Sequence, residues 1–123
     1  MRLLICGDRN WKNKDLIREK VTEFLASLEI HQLPLVIIEG EATGADIMGA
    51  QVAQELGLEV NSYPANWVLH HKAAGPIRNS KMLFEGKPDI VFAFHNKIAD
   101  SKGTKDMVTK AQKVGVPVRI FTE

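Results

Sequence analysis

Short apolar runs alternate with longer amphipathic segments along the whole chain. Five runs predict strands, at residues 2–6, 35–38, 58–63, 89–94 and 116–121. Such continuous apolar strands are typical of a parallel sheet that is covered by helices on both faces. The alternation therefore predicts an α/β fold, a Rossmann-like three-layer sandwich around a mostly parallel five-stranded sheet.

Between the strands, apolar side chains recur at helical spacing and predict four helices. The first spans residues 15–28, the second residues 44–56, the third residues 77–84 and the last residues 103–114. Residues 65–76 are predicted to form a loop. Right-handed crossovers would place every strand-to-helix loop at one edge of the sheet, where ligands bind in folds of this kind.

The composition narrows the functional class. The chain has 123 residues, 45% hydrophobic and 25% charged, which suits one globular domain over residues 1–123. Its formal net charge of +1 lacks the basic excess of a broad nucleic-acid-binding face, so the charge argues against a nucleic-acid partner. With neither a signal-peptide pattern nor an apolar stretch of membrane-spanning length, we expect a cytoplasmic protein that does not enter a membrane.

The cysteine and histidine pattern does not indicate a metal site. Cys6 is the single cysteine and lies in an apolar run, so we expect it to be buried in a strand. His70 and His71 have no neighbouring carboxylate or histidine at the spacing of a zinc site. The sequence therefore predicts neither a metal nor another cofactor.

The first two strand-to-helix loops contain candidate ligand contacts. Gly7 would let the backbone approach a ligand, and Arg9 would pair with a phosphate or carboxylate; a tight turn with a surface arginine is the alternative. Gly40 and Gly44 suit exposed amides at a helix N-terminus, an anion site. Asp46 either favours the helix dipole or accepts hydrogen bonds from ribose hydroxyls.

The third loop leads into a helix that begins with Arg78 and Asn79 in its first turn. Since an arginine there gains nothing from the helix dipole, it indicates an anionic ligand or an acidic partner. A structural ion pair with Asp46 or Asp89 is the alternative. In the same loop, Trp67 is expected either to pack under the loop or to stack on a base.

The fourth loop, from Ser101 to Thr104, opens the last helix. Free amides there, with Lys102, Gly103 and the Thr104 hydroxyl, are predicted to hold a phosphate. Ordinary capping of the helix by Ser101 or Thr104 is the alternative.

Taken together, these motifs resemble one family over nearly the whole chain. The resemblance lies in their order and spacing: Gly7-x-Arg9 with Trp11, Gly40-x-Ala42-x-Gly44-Ala45-Asp46, Pro64-Ala65-x-Trp67, Ala74-Gly75-Pro76-x-Arg78-Asn79-x-x-Met82, Asp89-x-Val91-x-Ala93-Phe94 and Lys102-Gly103-Thr104-x-Asp106-Met107. The sequence resembles the YspA-like family of the SLOG superfamily, whose members are related to DprA and to the LOG cytokinin-activating enzymes. That resemblance implies a Rossmann-like fold and a site for a nucleotide derivative.

The LOG pattern, R-K-x-x-M followed by P-G-G-x-G-T-x-x-E, is only partly matched. Arg78 matches its arginine and Gly103-Thr104 match its G-T, but its glutamate position falls on Met107. Asp106 lies one residue earlier, which on a helix is a rotation of about 100°. Arg78, Asp46 and Asp106 are therefore the candidate catalytic residues, while an activity is not implied.

Three functions are compatible with the sequence. The chain binds a nucleotide derivative as a sensor or sequestering module; it is an N-glycosidase that acts on nucleoside monophosphates; or it has a DNA-associated function like that of DprA. By analogy with LOG-type relatives, we also expect a homodimer or a higher homo-oligomer.

Overall fold

Five parallel strands form one sheet in a computed structural model that describes all residues, 1–123. They are β1 (Arg2–Gly7), β2 (Val36–Glu39), β3 (Glu59–Ser62), β4 (Ile90–Phe94) and β5 (Val118–Phe121), and their order in the sheet is β3-β2-β1-β4-β5. Every neighbouring pair is parallel. The predicted Rossmann-like α/β fold is confirmed, with an entirely parallel sheet.

Helices cover both faces of this sheet. They are α1 (Lys14–Ser27), α2 (Ala45–Glu55), the single turn α3 (Trp67–His70), α4 (Ala74–Phe84) and α5 (Gly103–Lys113). On one face, α1 and α2 bury side chains such as Phe24 and Val52 against alternate residues of the central strands. On the other, α4 and α5 bury Met82 and Met107 against the intervening residues, Cys6 among them.

The strand order reverses between β1 and β4, and this reversal creates the crevice of interest. The chain leaves β1 towards α1 on one face, whereas it leaves β4 towards α5 on the other. Gly7 is paired with Phe94, so the two strands end level with each other. The diverging loops leave a gap above their ends, where open α/β sheets bind ligands.

Two expectations about individual elements were wrong. Residues 65–76 are not a loop: Asn66 caps α3 by accepting a hydrogen bond from the Leu69 amide at 3.0 Å, and α4 already begins at Ala74. Pro76 does not delay that helix, because a first-turn residue needs no amide hydrogen for the helical ladder. The edge strands β3 and β5 are half-exposed rather than buried on both faces, since each has a single neighbouring strand.

None of the helices combines the length and the apolar character that crossing a lipid bilayer requires.

Candidate functional site

A cavity of about 290 Å³ lies above the ends of β1 and β4, at the reversal of strand order. We call it the inner cavity. It collects most of the residues that the sequence nominated, from all four loops: Gly7, Arg9, Asp46, Arg78, Asn79, Lys102, Gly103 and Thr104. Gly40, Gly44 and Asp106 do not line it.

A wider groove of about 1450 Å³ continues from the inner cavity along the surface between α2 and the start of α4. We call it the outer groove, and Gly40 and the half-exposed Trp67 line it. Three cationic side chains, Arg9, Arg78 and Lys102, line both spaces. The two spaces therefore meet at a positively charged junction.

The loop from Gly40 to Asp46, which we call the closed loop, uses its own polar groups. The Asp46 carboxylate is buried and accepts a hydrogen bond from the Gly40 amide at 3.1 Å. The Ala45 amide donates to the Asp8 carbonyl at 3.2 Å. The carboxyl group of Asp46 thus takes up one amide of the predicted anion site, while the amides of Thr43, Gly44 and Asp46 have no acceptor within the chain.

Burial raises the pKa of Asp46 from 3.8 to about 7. The positive charge of Arg78 and the loop amides oppose this rise, whereas the nearby Glu39 carboxylate adds to it. Near neutral pH the carboxyl group therefore exists in both protonation states while it lines the inner cavity.

Both glycines of the second loop stand at close approaches within the chain. Gly44 has φ of +83°, and a side chain there would overlap the carbonyl groups of Asp8 and Arg9. A Cβ atom on Gly40 would overlap the Arg78 guanidinium. These close approaches, which the sequence did not reveal, explain why glycine stands at both positions without involving a ligand.

Arg78 is anchored by neutral groups rather than by an ion pair. Its Nη1 donates to the Gly40 carbonyl at 2.6 Å, and its Nε donates to Asn79 Oδ1 at 3.0 Å. Neither Asp46 nor Asp89 forms a salt bridge with it, so the structural alternative considered for this residue is wrong. The guanidinium is held in place at the junction with its charge uncompensated by direct contact.

Asn79 and Asp106 join α4 to the start of α5. The side chain of Asn79 is buried, and its Nδ2 donates to the Gly103 carbonyl at 3.2 Å and to Asp106 Oδ2 at 3.0 Å. Asp106 also forms an ion pair with Lys110 at 3.0 Å. Asp106 faces a separate surface depression, and Met107 occupies the wall of the inner cavity.

The loop from Ser101 to Lys105, which we call the open loop, leaves its donors free. Ser101 Oγ accepts from the Thr104 amide at 3.0 Å, so the capping alternative does occur. The amides of Lys102, Gly103 and Lys105, however, have no acceptor within the chain. Lys102 and Gly103 line the inner cavity, so their free amides and the exposed Lys102 side chain form a cationic, donor-rich part of its wall, whereas Lys105 lies outside it.

Two polar residues at the ends of strands were missed by the sequence reasoning. Glu39 ends β2, is fully buried, and accepts hydrogen bonds from the Ser62 hydroxyl and the Glu41 amide. Burial raises its pKa above the ordinary value. His95 follows β4 and lines the inner cavity. A single signal identifies both residues: a polar side chain at the end of a buried strand.

The paired histidines take no part in either space. His70 and His71 line neither the inner cavity nor the outer groove. No group of three or more His, Cys, Asp or Glu side chains is arranged to hold a metal ion.

Comparison with known proteins identifies the family to which the chain belongs. The family model described as the YspA, cpYpsA-related SLOG family matches residues 1–70, more than half of the chain. The Gene 61 protein of Mycobacterium phage D29 is 34% identical over 127 residues, an alignment that covers 98% of this chain and 95% of that protein. The chain belongs to the YspA, cpYpsA-related SLOG family. The resemblance read from the motifs is therefore confirmed.

A solved structure supports the fold of this SLOG domain. The X-ray structure of DNA processing protein A (DprA) from Streptococcus pneumoniae superposes with a TM-score of 0.51 at 17% sequence identity. The match covers 96% of this chain but 58% of the DprA chain, so the domain spans little more than half of that protein. At this identity the likeness concerns the fold alone.

The family match divides the site into two parts. Residues 1–70 include the closed loop with Asp46 and the loop with Arg9, whereas Arg78 and the open loop lie beyond them. The alignment with the phage protein extends over nearly the whole chain and includes this second part. SLOG membership supports a nucleotide-related function for the domain as a whole.

Proposed function

We propose that this SLOG domain binds a nucleotide or nucleotide derivative at its strand-to-helix loops, as a sensor or sequestering module. One observation carries the proposal: the inner cavity and the outer groove meet at a junction lined by Arg9, Arg78 and Lys102. A nucleotide is an anion joined to a planar apolar group. A cationic junction with space on either side suits that combination.

The open loop is the part of the site best suited to a phosphate. Its unpaired amides lie at the start of an eleven-residue helix, where the helix dipole favours negative charge. Lys102 adds a formal positive charge beside them. The closed loop is less suited to a phosphate, because the carboxyl group of Asp46 accepts from its Gly40 amide and the exposed Glu41 adds a second acidic side chain beside it.

The base of the nucleotide is assigned to the outer groove. Trp67 is 52% exposed and lines this groove, so its indole face is available for stacking. Exposed polar side chains of the groove, including Thr43 and Gln51, would distinguish bases by their hydrogen-bonding edges.

A second candidate, cleavage of the N-glycosidic bond, is favoured by one observation. The carboxyl group of Asp46 lines the inner cavity with a pKa of about 7, which suits general acid–base catalysis at neutral pH. In that reaction the C1′–N bond breaks and a C1′–O bond forms with water. Asp46 would take the water's proton and pass it to the departing base. Asp106 faces away from the cavity and is the weaker candidate.

A single screen separates binding from cleavage. Thermal unfolding of the full chain is followed with AMP, ADP-ribose, NAD, cyclic nucleotides and cytokinin-type monophosphates, and each mixture is analysed for released base. A ligand at a hundred times its Kd should stabilise the fold by about 2.7 kcal/mol. Stabilisation without released base supports the binding module, and released base supports the N-glycosidase. No stabilisation and no released base with any compound would contradict both.

The control for the screen is a pair of lysine variants. Lys102→Ala removes a cation from the junction, while Lys113→Ala removes an exposed cation from the far end of the same helix. Ligand-induced stabilisation should decrease in the first variant and persist in the second.

A further inference from the structure

His95 and Asp8 lie side by side in the wall of the inner cavity, and they form no direct hydrogen bond with each other. The pairing of Gly7 with Phe94 brings the next residues of the two strands, Asp8 and His95, to the same level of the sheet. His95 Nε2 lies 3.9 Å from Asp8 Oδ2, and both side chains line the cavity. That distance is too long for a direct hydrogen bond.

The proton position on His95 follows from its other nitrogen. Nδ1 lies 2.9 Å from the amide nitrogen of Lys97. Since an amide only donates, Nδ1 must accept and therefore carries no hydrogen. In the neutral ring the hydrogen is then on Nε2, which points towards Asp8.

The carboxylate side of the pair is equally fixed. Asp8 Oδ1 accepts a hydrogen bond from the Asn10 amide at 2.8 Å, and the Asp8 amide donates to the Phe94 carbonyl at 2.9 Å. Oδ2 remains as a free acceptor on the cavity side. The donor, His95 Nε2–H, and the acceptor, Asp8 Oδ2, are thus both held in place, and they lie 3.9 Å apart without a direct hydrogen bond.

We propose that His95 and Asp8 together bind one ribose hydroxyl of the nucleotide, an inference that rests on the proposed function. A hydroxyl oxygen accepts from Nε2–H while its own hydrogen is donated to Oδ2, so a single group satisfies both partners. A phosphate oxygen has no hydrogen to offer at neutral pH and is repelled by the Asp8 carboxylate. The pair therefore distinguishes a sugar hydroxyl from a phosphate, which is left to the open loop.

The test is a comparison of ligands that differ by one hydroxyl. Titration calorimetry measures binding of AMP, 2′-deoxy-AMP and 3′-deoxy-AMP to the wild-type chain and to Asp8→Asn and His95→Phe. The wild type should lose affinity on the order of tenfold when the contacted hydroxyl is removed, because a charge-assisted hydrogen bond is lost. Both variants should bind AMP about as weakly as the wild type binds that deoxy form, and should no longer distinguish the two.

Asp100→Asn is the matched control, since it removes a carboxylate from the wall of the same cavity without a facing histidine. It should change the affinities for AMP and its deoxy forms by the same factor. Asp8→Asn keeps the shape of the side chain and the backbone contacts, so it reports on the hydroxyl even if His95→Phe does not fold.

Two results would overturn the inference. The first is equal binding of all three ligands by the wild type, which would leave the proposed function standing. The second is a loss of affinity in both variants that is equally large for AMP and for its two deoxy forms. Failure of AMP to bind would also overturn it, and only failure of every nucleotide in the screen would overturn the proposed function as well.

Discussion

The closed loop and the open loop connect a strand to a helix in the same way, yet they offer opposite surfaces to a ligand. In the closed loop, Asp46 turns back and accepts a hydrogen bond from the Gly40 amide of its own loop. In the open loop, Ser101 satisfies the Thr104 amide and leaves three neighbouring amides free. Both loops keep amides without an acceptor, Thr43, Gly44 and Asp46 in the first and Lys102, Gly103 and Lys105 in the second. The two loops differ in the charge that lies beside those amides, which is the Asp46 carboxyl group in the closed loop and the Lys102 cation in the open loop.

This contrast shows that a glycine-marked loop before a helix is not by itself an anion site. Whether such a loop can bind an anionic ligand depends on whether the first turn of its helix already places a carboxylate beside the loop amides. Asp46 lies in the first turn of α2 with its carboxyl group buried. Asp106 lies in the first turn of α5, but its carboxylate accepts a hydrogen bond from Asn79 and forms a salt bridge with Lys110. The orientation of one carboxylate thus separates the two loops.

The largest predicted effect concerns Asp46 and pH. Its folded-state pKa of about 7 lies above its ordinary 3.8, so the free energy of unfolding decreases as pH rises between these two values. The decrease is at most about 1.4 kcal/mol for each pH unit. Asp46→Asn should flatten this decline, leaving the smaller part due to Glu39. Denaturant unfolding at pH 5 and pH 8 measures the difference.

Glu55→Gln serves as the control for that experiment. Hydrogen bonds from Arg18 and Lys14 lower the pKa of Glu55 to about 2, so its contribution is lost only as pH falls from about 4.5 towards that value. The variant should keep the wild-type slope between pH 5 and pH 8. An unchanged slope in Asp46→Asn would contradict the burial of the Asp46 carboxyl group in the closed loop.

The next prediction compares one glycine from each loop. Gly44→Ala should destabilise the fold by about 3 kcal/mol, because its φ is positive and its Cβ would overlap the backbone of the loop after β1. Gly103→Ala, whose Cβ meets no atom within 4 Å, should stabilise it by roughly 0.5–1 kcal/mol. Urea unfolding of both variants measures the two effects. Equal destabilisation would show that Gly103, like Gly44, has neighbouring atoms that leave no room for a side chain.

A smaller effect is expected from the charge at the open loop. Lys102→Ala should weaken binding of the best nucleotide from the screen about tenfold, through loss of one charge-assisted hydrogen bond. Since Lys102 is exposed and its side chain makes no internal contact, the melting temperature without ligand should stay unchanged. Calorimetric titration gives the affinity. A variant that binds as tightly as the wild type would place the phosphate elsewhere.

The fold could be predicted because its signals are local. Apolar runs such as those of β1 and β4 are buried on both faces, and the alternation with helices determines a parallel sheet. The start of α4 was misplaced because Gly75 and Pro76 suggest a break. Their position within the first turn depends on how Asn66 caps the preceding turn, which composition does not show.

The sequence could predict where the site lies in the fold, but not which atoms its side chains contact. The residues from all four loops meet because every strand-to-helix loop leaves the parallel sheet at the same edge. What each residue contacts depends on distances between distant segments, such as Arg78 with the Gly40 carbonyl or Asp8 with His95. The sequence named Asp106 as a catalytic candidate one residue away from the glutamate position of the LOG pattern, and the structure places Met107 rather than Asp106 in the wall of the inner cavity.

The most direct test of the account is an amide chemical-shift map of the ¹⁵N-labelled chain titrated with AMP and ADP-ribose. The amides of Lys102 and Gly103 are free and these residues line the inner cavity, whereas the Gly40 amide donates to Asp46. The shifts of Lys102 and Gly103 should therefore change most on binding, while that of Gly40 changes little. Large changes confined to Gly40 and its loop, with none at residues 102–105, would contradict the account.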